Sequence, residues 1–323
     1  MRKVFIEELC AAAAARDNIA LIVGDLGYGV VEPFAQRFPE RFFNAGVAEQ
    51  NMMGLAAGLA SEGMHVFVYS IANFPTFRCA EQIRNDVAYH QLPVTVVAIG
   101  AGLAYGNLGY SHHAVQDYAL MRVLPHTLIA APGDALEVRA CVRYLLQHPQ
   151  PSYLRLGKDE PACVHQSVPS VAPGLWVPLL APAKARQACL STGTTLQLAH
   201  QTLAGNPSLA AQTALFTLPL WSMHCKTMQA AQTQGFERVL TLEDHLPDGG
   251  FGSWLLEALA ASGTQRCAID LMALDVRVCA SVGQQSTLNA LGGLSAPALV
   301  ERLQRWPDPP PTLSPAPKQP STA

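Results

Sequence analysis

The segment from Arg41 to Gly63, RFFNAGVAEQNMMGLAAGLASEG, determines how the rest of the chain is interpreted. From Ala48 to Ala60 its apolar residues recur with the spacing of one helical face, which predicts a helix. Gly54 and Gly58 fall inside that helix, where each glycine costs roughly 1 kcal/mol relative to alanine. A helix that keeps both glycines indicates that another backbone or a ligand lies close to it.

Glu49 falls in the first turn of this predicted helix, in a nearly uncharged segment of small residues. The helix dipole favours the anion at that position, whereas burial among apolar neighbours disfavours it. A carboxyl group held between these two effects can keep or share a proton, as an acid–base group must. The alternative is a first-turn glutamate that only complements the dipole.

The composition indicates a folded protein with much buried surface. The chain has 323 residues, enough for two domains, and 50% of them are hydrophobic while 14% are charged. Because about 25% charged residues is usual in soluble domains, part of the surface is expected to be buried against other chains. The net charge of −3 favours neither nucleic acid nor a membrane surface as a partner.

The cysteines and the N-terminus predict a cytoplasmic location. Eight cysteines are scattered without a C-x-x-C pair or zinc-ligand spacing, so they are interpreted as reduced core residues and no metal site is predicted within the chain. The first ten residues carry charges throughout, unlike a signal peptide. No segment reaches the about 18 apolar residues of a membrane span.

Short apolar runs that alternate with helical patterns predict an α/β fold of two doubly wound domains. The predicted strands are Ile19 to Val23, Val66 to Tyr69, Val94 to Ile99, Thr127 to Ala130 and Tyr153 to Leu156 in the first domain, and Ala188 to Ser191, Thr213 to Thr217, Arg238 to Leu242 and Cys267 to Leu271 in the second. The predicted boundaries are 1–160 for the first domain, 161–186 for a Pro- and Ala-rich linker, 187–306 for the second domain and 307–323 for a disordered Pro-rich tail.

The run Arg-Phe-Phe-Asn-Ala-Gly-Val-Ala-Glu-Gln-Asn-Met at 41–52 resembles the pyrimidine-binding module of transketolases and their relatives, which use thiamine diphosphate. The resemblance implies that Glu49 hydrogen-bonds N1′ of the cofactor's aminopyrimidine and favours its imino tautomer. The second predicted domain likewise resembles the transketolase C-terminal domain. The chain is therefore identified as a member of the transketolase family, similar to the C-terminal subunit of a two-subunit enzyme.

The resemblance implies further cofactor contacts. Phe74 and Phe77 share a helical face, a spacing typical of core aromatics, but relatives stack an aromatic of this segment on the pyrimidine ring, and Phe74 is the first candidate. Arg78 and Glu81 match an Arg-x-x-Glu-Gln pattern of two-subunit relatives; the alternative is a surface ion pair. Asp25 follows the first strand, where open parallel sheets bind ligands; it is either a loop cap or a residue near the cofactor and the facing subunit.

Substrate contacts are implied at a Gly-rich loop and at a strand end. His112 and His113 open a helix predicted from His112 to Val123, in a segment that resembles the Thr-His-Gln segment of transketolases. The family histidine contacts the oxygen at the reacting carbons, and His112 has its position, while His113 stands where glutamine is common. Arg155 matches an arginine that binds the substrate phosphate; the alternative is an interface ion pair.

Two positions depart from the family pattern. Sugar-phosphate transketolases carry an aspartate where this chain has Leu108 and a histidine where it has Gly100. Both family side chains touch the substrate. Because an unmatched polar partner is costly, their absence predicts a donor with fewer hydroxyl groups or a modified sugar acceptor in place of the usual sugar phosphates.

The motif that holds the diphosphate through Mg²⁺, Gly-Asp-Gly followed by Asn-Asn, is missing, and its nearest match is Gly24-Asp25-Leu26. The sequence therefore predicts half an active site. A separate N-terminal subunit would hold the diphosphate and Mg²⁺ in an α2β2 heterotetramer that moves a two-carbon ketol unit from a ketose or ketose phosphate to an aldose. The alternatives are a deoxyxylulose-phosphate-synthase-like or 2-oxoacid dehydrogenase β-type subunit, and a non-catalytic assembly subunit.

Overall fold

The computed structural model describes residues 1–263 and 267–305, so the predicted tail lies outside the described residues. The strands in this part of the chain are β1 (Ile19–Val23), β2 (Phe42–Asn44), β3 (His65–Ile71), β4 (Val94–Ile99), β5 (Leu128–Ala130), β6 (Ser152–Leu156), β7 (Val177–Leu180), β8 (Gln187–Ser191), β9 (Thr213–Thr217), β10 (Leu220–Trp221), β11 (Arg238–Leu242) and β12 (Ala268–Met272). The helices are α1 (Arg2–Ala15), α2 (Glu32–Arg37), α3 (Glu49–Ser61), α4 (Asn73–Phe77), α5 (Ala80–Gln82), α6 (Asp117–Met121), α7 (Ala135–Gln147), α8 (Leu196–Ala204), α9 (Pro207–Ala210), α10 (Gln229–Gln232), α11 (Phe251–Ser262), α12 (Gln285–Leu291) and α13 (Ala296–Gln304). Short 3₁₀ turns and one π-helical turn, Ile83–Ala88, connect them. Across the described ranges, no helix combines the length and the apolar character that a bilayer span requires.

The first sheet has the strand order β10-β5-β6-β4-β3-β1-β2 and is parallel except for the pair β10 and β5. Its central strands β1, β3, β4 and β6 are buried along almost their whole length because helices cover both faces. Ile22 points to the face covered by Met52 of α3, whereas its neighbour Leu21 points to the face covered by Leu9 of α1. The predicted α/β architecture is confirmed.

The second sheet has the order β12-β11-β8-β9-β7, with β7 antiparallel to β9. Strand β7 lies inside the segment 161–186, which the sequence predicts as a linker. The second half of the chain also contributes β10, whose Leu220 and Trp221 are buried and pair antiparallel with β5 of the first sheet. The second half of the chain is therefore joined to the first sheet by paired backbone.

The helix predicted from His112 to Val123 begins later than expected. His112 ends a 3₁₀ turn, and α6 starts only at Asp117. The segment between them is extended because Ala114 pairs with Gly102 in an isolated antiparallel bridge. The predicted start was wrong, and His112 instead lies in a turn that the neighbouring loop supports.

Candidate active site

The loops that follow β1, β2, β3 and β4 meet at one edge of the first sheet, because the carboxyl ends of parallel strands lie together. Gly46, at φ 71°, turns the chain from β2 towards α3. Glu49 is the first residue of α3. The sheet therefore places Glu49 at the edge where α/β proteins bind their ligands.

Glu49 is 5% exposed, and its Oε1 accepts a hydrogen bond from Nη1 of Arg78 at 2.8 Å. The guanidinium of Arg78 lies 4.0 Å from the ring centroid of Phe74. Arg78 is itself 48% exposed. The carboxylate of Glu49 is thus buried and paired with a cation, whereas that cation, Arg78, is half exposed to solvent.

His112 lies between two aromatic rings. The ring centroids of Phe74 and His112 are 5.2 Å apart, and those of Tyr105 and His112 are 6.2 Å apart, both edge to face. The ammonium group of Lys158 lies 5.2 Å from the Tyr105 ring centroid. A continuous row of contacts, hereafter the site row, therefore runs from Glu49 through His112 to Lys158; its members are Glu49, Arg78, Phe74, His112, Tyr105 and Lys158.

The two adjacent histidines have different surroundings. His112 is partly exposed, whereas His113 is 1% exposed and its Nε2 lies 3.4 Å from the carbonyl oxygen of Gly106. Burial, followed by repulsion from His113 and Arg78, lowers the pKa of His112. Nδ2 of Asn73 donates to the carbonyl oxygens on either side of His112 and holds the turn. Of the two histidines, His112 is the one accessible to a substrate at this edge.

Three other predicted cofactor contacts, Asp25, Phe77 and Glu81, are exposed at the surface near this edge. Asp25 has a left-handed φ of 53°, and its Oδ1 accepts hydrogen bonds from Asn44 and Tyr28 at 3.0 Å each. These hydrogen bonds, that from Asn44 first, lower the pKa of Asp25. Phe77 is 47% exposed, so its ring is open, whereas the ring of Phe74 already lies under Arg78.

Arg155 lies elsewhere than the substrate-binding prediction requires, and that prediction is corrected. Its side chain is 1% exposed, its Nε donates to Asp117 Oδ2 at 2.7 Å and its Nη1 to Asp244. Nη2 donates to the carbonyl oxygen of Ala114 at 2.6 Å, and the guanidinium lies 4.4 Å from the Tyr118 ring centroid. The N–H groups of Arg155 are hydrogen-bonded inside the protein, and its charge is balanced by Asp117 and Asp244. Arg155 therefore joins the two domains and presents no accessible surface to a phosphate.

Two residues of this region were missed by the sequence interpretation. Lys158 lies three residues beyond Arg155, past the end of β6, and is the cation of the site row on that side. Tyr105 was seen only as part of a Gly-rich loop. A signal for Lys158 was present, because a lysine in the loop after a strand reaches the ligand edge, whereas a residue inside the strand is buried.

Comparisons with known proteins identify the family of the chain. Residues 1–162 match the family described as transketolase, pyrimidine binding domain. The chain belongs to the transketolase family. One subunit of the apulose-4-phosphate transketolase of Phocaeicola vulgatus is 31% identical over 271 residues, which span 80% of this chain and 83% of that protein.

Other members show which part of a transketolase the chain matches. A Methanocaldococcus jannaschii protein, whose name describes a transketolase C-terminal section, is 40% identical over 168 residues, 52% of this chain and 53% of that protein. The solved structure of a split gene transketolase, an inactive beta4 tetramer, has a TM-score of 0.80 at 29% identity and covers 94% of this chain and 96% of that one. The chain thus corresponds to the C-terminal subunit of a split transketolase, as the resemblance predicts.

The transketolase family also includes enzymes of a different reaction. 1-Deoxy-D-xylulose-5-phosphate synthase of Thermus thermophilus is 35% identical over 240 residues, which are 73% of this chain. The chain spans only 37% of the length of that synthase. Sequence similarity therefore establishes a thiamine-diphosphate family but does not determine which group the chain helps to transfer.

Proposed function

We propose that this chain is the catalytic C-terminal subunit of a split, thiamine-diphosphate-dependent transketolase. It would transfer a two-carbon ketol unit from a ketose donor to an aldose acceptor in the cytoplasm. The observation that carries the proposal is the position of Glu49, at the N-terminus of α3 and in contact with an arginine that covers an aromatic ring. Thiamine diphosphate, when bound, supplies the nucleophilic carbon that carries the transferred unit.

The residues around Glu49 fit an aminopyrimidine. A carboxyl shielded from water can exchange a proton with a ring nitrogen. The half-exposed ring of Phe77 offers a free face for stacking, which makes it the better candidate than Phe74 in the free chain. Arg78 occupies one oxygen of Glu49, and because its side chain is already half hydrated it can turn outward when the cofactor's ring needs that oxygen.

His112 would stabilise charge on the oxygen of the reacting substrate. It is partly exposed, held in its turn by Asn73, and has a lowered pKa that leaves it neutral at pH 7. A neutral imidazole can donate one hydrogen bond and relay a proton. Lys158, and not Arg155, would bind a substrate phosphate, because its ammonium group lies at the far end of the site row.

The diphosphate and Mg²⁺ would be held by a separate N-terminal subunit in an α2β2 heterotetramer. Within residues 1–263 and 267–305, no group of three or more His, Cys, Asp or Glu side chains is arranged to hold a metal ion. The names of two similar proteins, one a single subunit of a transketolase and the other a split gene transketolase, support a divided enzyme. The exposed glycines of α3, Gly54 and Gly58, have open space where a side chain would extend, which suits close approach of that subunit.

The isolated chain is expected to bind thiamine diphosphate poorly and to turn over no ketose, because only the pyrimidine half of the site is present. Co-expression with a separate N-terminal subunit that carries the diphosphate motif is expected to restore both. Titration calorimetry of the chain alone and of the co-purified complex measures this. Tight stoichiometric binding by the chain alone would contradict the divided site.

His112→Asn in the complex is expected to lower kcat/KM by about 10²–10³-fold, as loss of an oxyanion donor does. The acid limb of the pH–rate profile should lie below 6.5, the usual pKa of histidine, because burial and Arg78 lower the pKa of His112. Arg78→Gln removes a repelling charge, so the limb should move to higher pH. An acid limb that persists unchanged in His112→Asn would exclude His112 as its source.

A synthase-like or 2-oxoacid dehydrogenase β-type subunit is the second candidate, favoured by the similarity to the Thermus thermophilus synthase. Pyruvate would then replace the ketose as donor. Release of carbon dioxide from pyruvate by the complex, without turnover of ketoses, would establish that reaction. A complex that assembles but turns over neither donor would indicate the third candidate, a non-catalytic assembly subunit.

A further inference from the structure

Gly100 leaves space for an aromatic ring at the ligand edge of the first sheet. Gly100 follows β4 at the ligand edge of the sheet and has a φ of 94°, which L residues with side chains rarely adopt. A Cβ atom built there would lie 2.3 Å from Cε2 and 2.4 Å from Cδ2 of Tyr105. The ring of Tyr105 therefore fills the space that a side chain at position 100 would occupy.

The same ring faces the centre of the site row. Tyr105 is half-buried, with His112 on one side and the Lys158 ammonium group on another. Phe74 packs on His112 from a second direction. His112 is thus flanked by two aromatic rings, and a substrate atom beside it meets ring carbon and hydrogen atoms, which offer little to a hydroxyl group.

We propose that Tyr105 is a specificity-determining residue that selects an acceptor aldehyde without a hydroxyl group on the carbon next to the carbonyl. This inference rests on the proposed function. A hydroxyl group moved from water to an aromatic wall without a partner loses its hydrogen bonds, whereas a methyl or methylene group in the same place gains apolar contact. The expected acceptor is therefore a 2-deoxy aldose, for which a simple alkyl aldehyde can stand in.

Propanal and glycolaldehyde provide a matched test, because they differ by a methyl group against a hydroxyl group on the carbon next to the carbonyl. The measurement is the ratio of kcat/KM for propanal to that for glycolaldehyde, in the co-purified complex with one ketose donor. The wild-type complex is expected to favour propanal by about tenfold or more, the range that one group in an apolar pocket commands. Equal or inverted rates in the wild type would overturn the inference.

Variants of Tyr105 test whether its ring, and not the rest of the site, sets the ratio. Tyr105→Phe keeps the ring and should keep the ratio, whereas Tyr105→Ala should lower it by about tenfold. Tyr105→His keeps a ring over Gly100 but adds a polar atom, so it should shift the ratio towards glycolaldehyde even if the alanine variant is unstable. Tyr110→Ala, an exposed tyrosine of the same loop, is the control and should leave the ratio unchanged.

Two outcomes separate the role of Tyr105 from the proposed function. A complex that turns over ketoses while Tyr105→His and Tyr105→Ala keep the wild-type ratio would overturn the role of Tyr105 and leave the proposed function intact. A complex that turns over no ketose with either aldehyde would refute the proposed function and this inference with it.

Discussion

Glu49→Gln is expected to abolish turnover of the assembled enzyme while the complex still forms. Glutamine has the size of glutamate but cannot exchange a proton with a ring nitrogen, so the loss should be at least the 10²–10⁴-fold that general acid–base catalysis contributes. The side chain is 5% exposed and therefore contributes little to any surface contact. The measurement is kcat of the co-purified complex, with its mass in solution measured in parallel.

Glu62→Gln is the matched control, because Glu62 caps the other end of α3 and is exposed. It should retain wild-type turnover. The Glu49 variant also frees Arg78 from its carboxylate partner, so a change in cofactor affinity is expected alongside the loss of rate. Wild-type kcat in Glu49→Gln would remove the mechanism, whereas loss of the complex itself would assign Glu49 a structural role.

The core of the fold was predictable because its signals are local. Strands β1, β4, β9 and β11 have the predicted bounds, since each is a short, largely apolar run between turn residues. Strands β2, β7 and β10 were not predicted. Strand β10 has two residues, and its pairing with β5 joins parts of the chain that are distant in sequence. No local pattern encodes such a contact.

The same distinction between local patterns and contacts distant in sequence applies to the site. Glu49 could be placed at a helix start because the glycine, the carboxylate and the helical pattern are adjacent in sequence. The contacts of Arg78 with Glu49 and of Phe74 with His112 required the sheet, since Glu49 follows β2, Phe74 and Arg78 follow β3, and His112 follows β4. The contact of Tyr105 with Gly100 was also hidden, because a Gly-rich loop in sequence indicates freedom of the backbone and not which ring fills the space.

Arg155 shows why a residue type at a strand end is ambiguous. Tyr153 and Arg155 are two residues apart in β6 and therefore point to the same face, where both bond to Asp117. The alternation of side chains along β6 can be predicted from the sequence, but the identity of the acid that faces Arg155 cannot. Asp244, from the second domain, completes the charge balance, and its position follows only from how the two domains pack.

Arg155→Met is expected to lower the free energy of unfolding by about 3–5 kcal/mol, because removing one partner of a buried ion network leaves the others uncompensated. Asp117 and Asp244 would then be two buried carboxylates without their shared cation. Such a loss is a large part of the about 5–15 kcal/mol that stabilises a typical domain. The measurement is urea unfolding of the chain, followed by fluorescence of the buried Trp221 and Trp254.

Two companion variants decide between a structural and a substrate role for this arginine. Arg277→Ala breaks an exposed ion pair and should leave the urea midpoint unchanged. Lys158→Met should also leave the midpoint unchanged but raise KM for a phosphorylated acceptor, because its ammonium group lies at the end of the site row and not in the core. If Arg155→Met instead kept the wild-type midpoint and raised only that KM, the phosphate would belong to Arg155 and the buried network would have to open in the assembled enzyme.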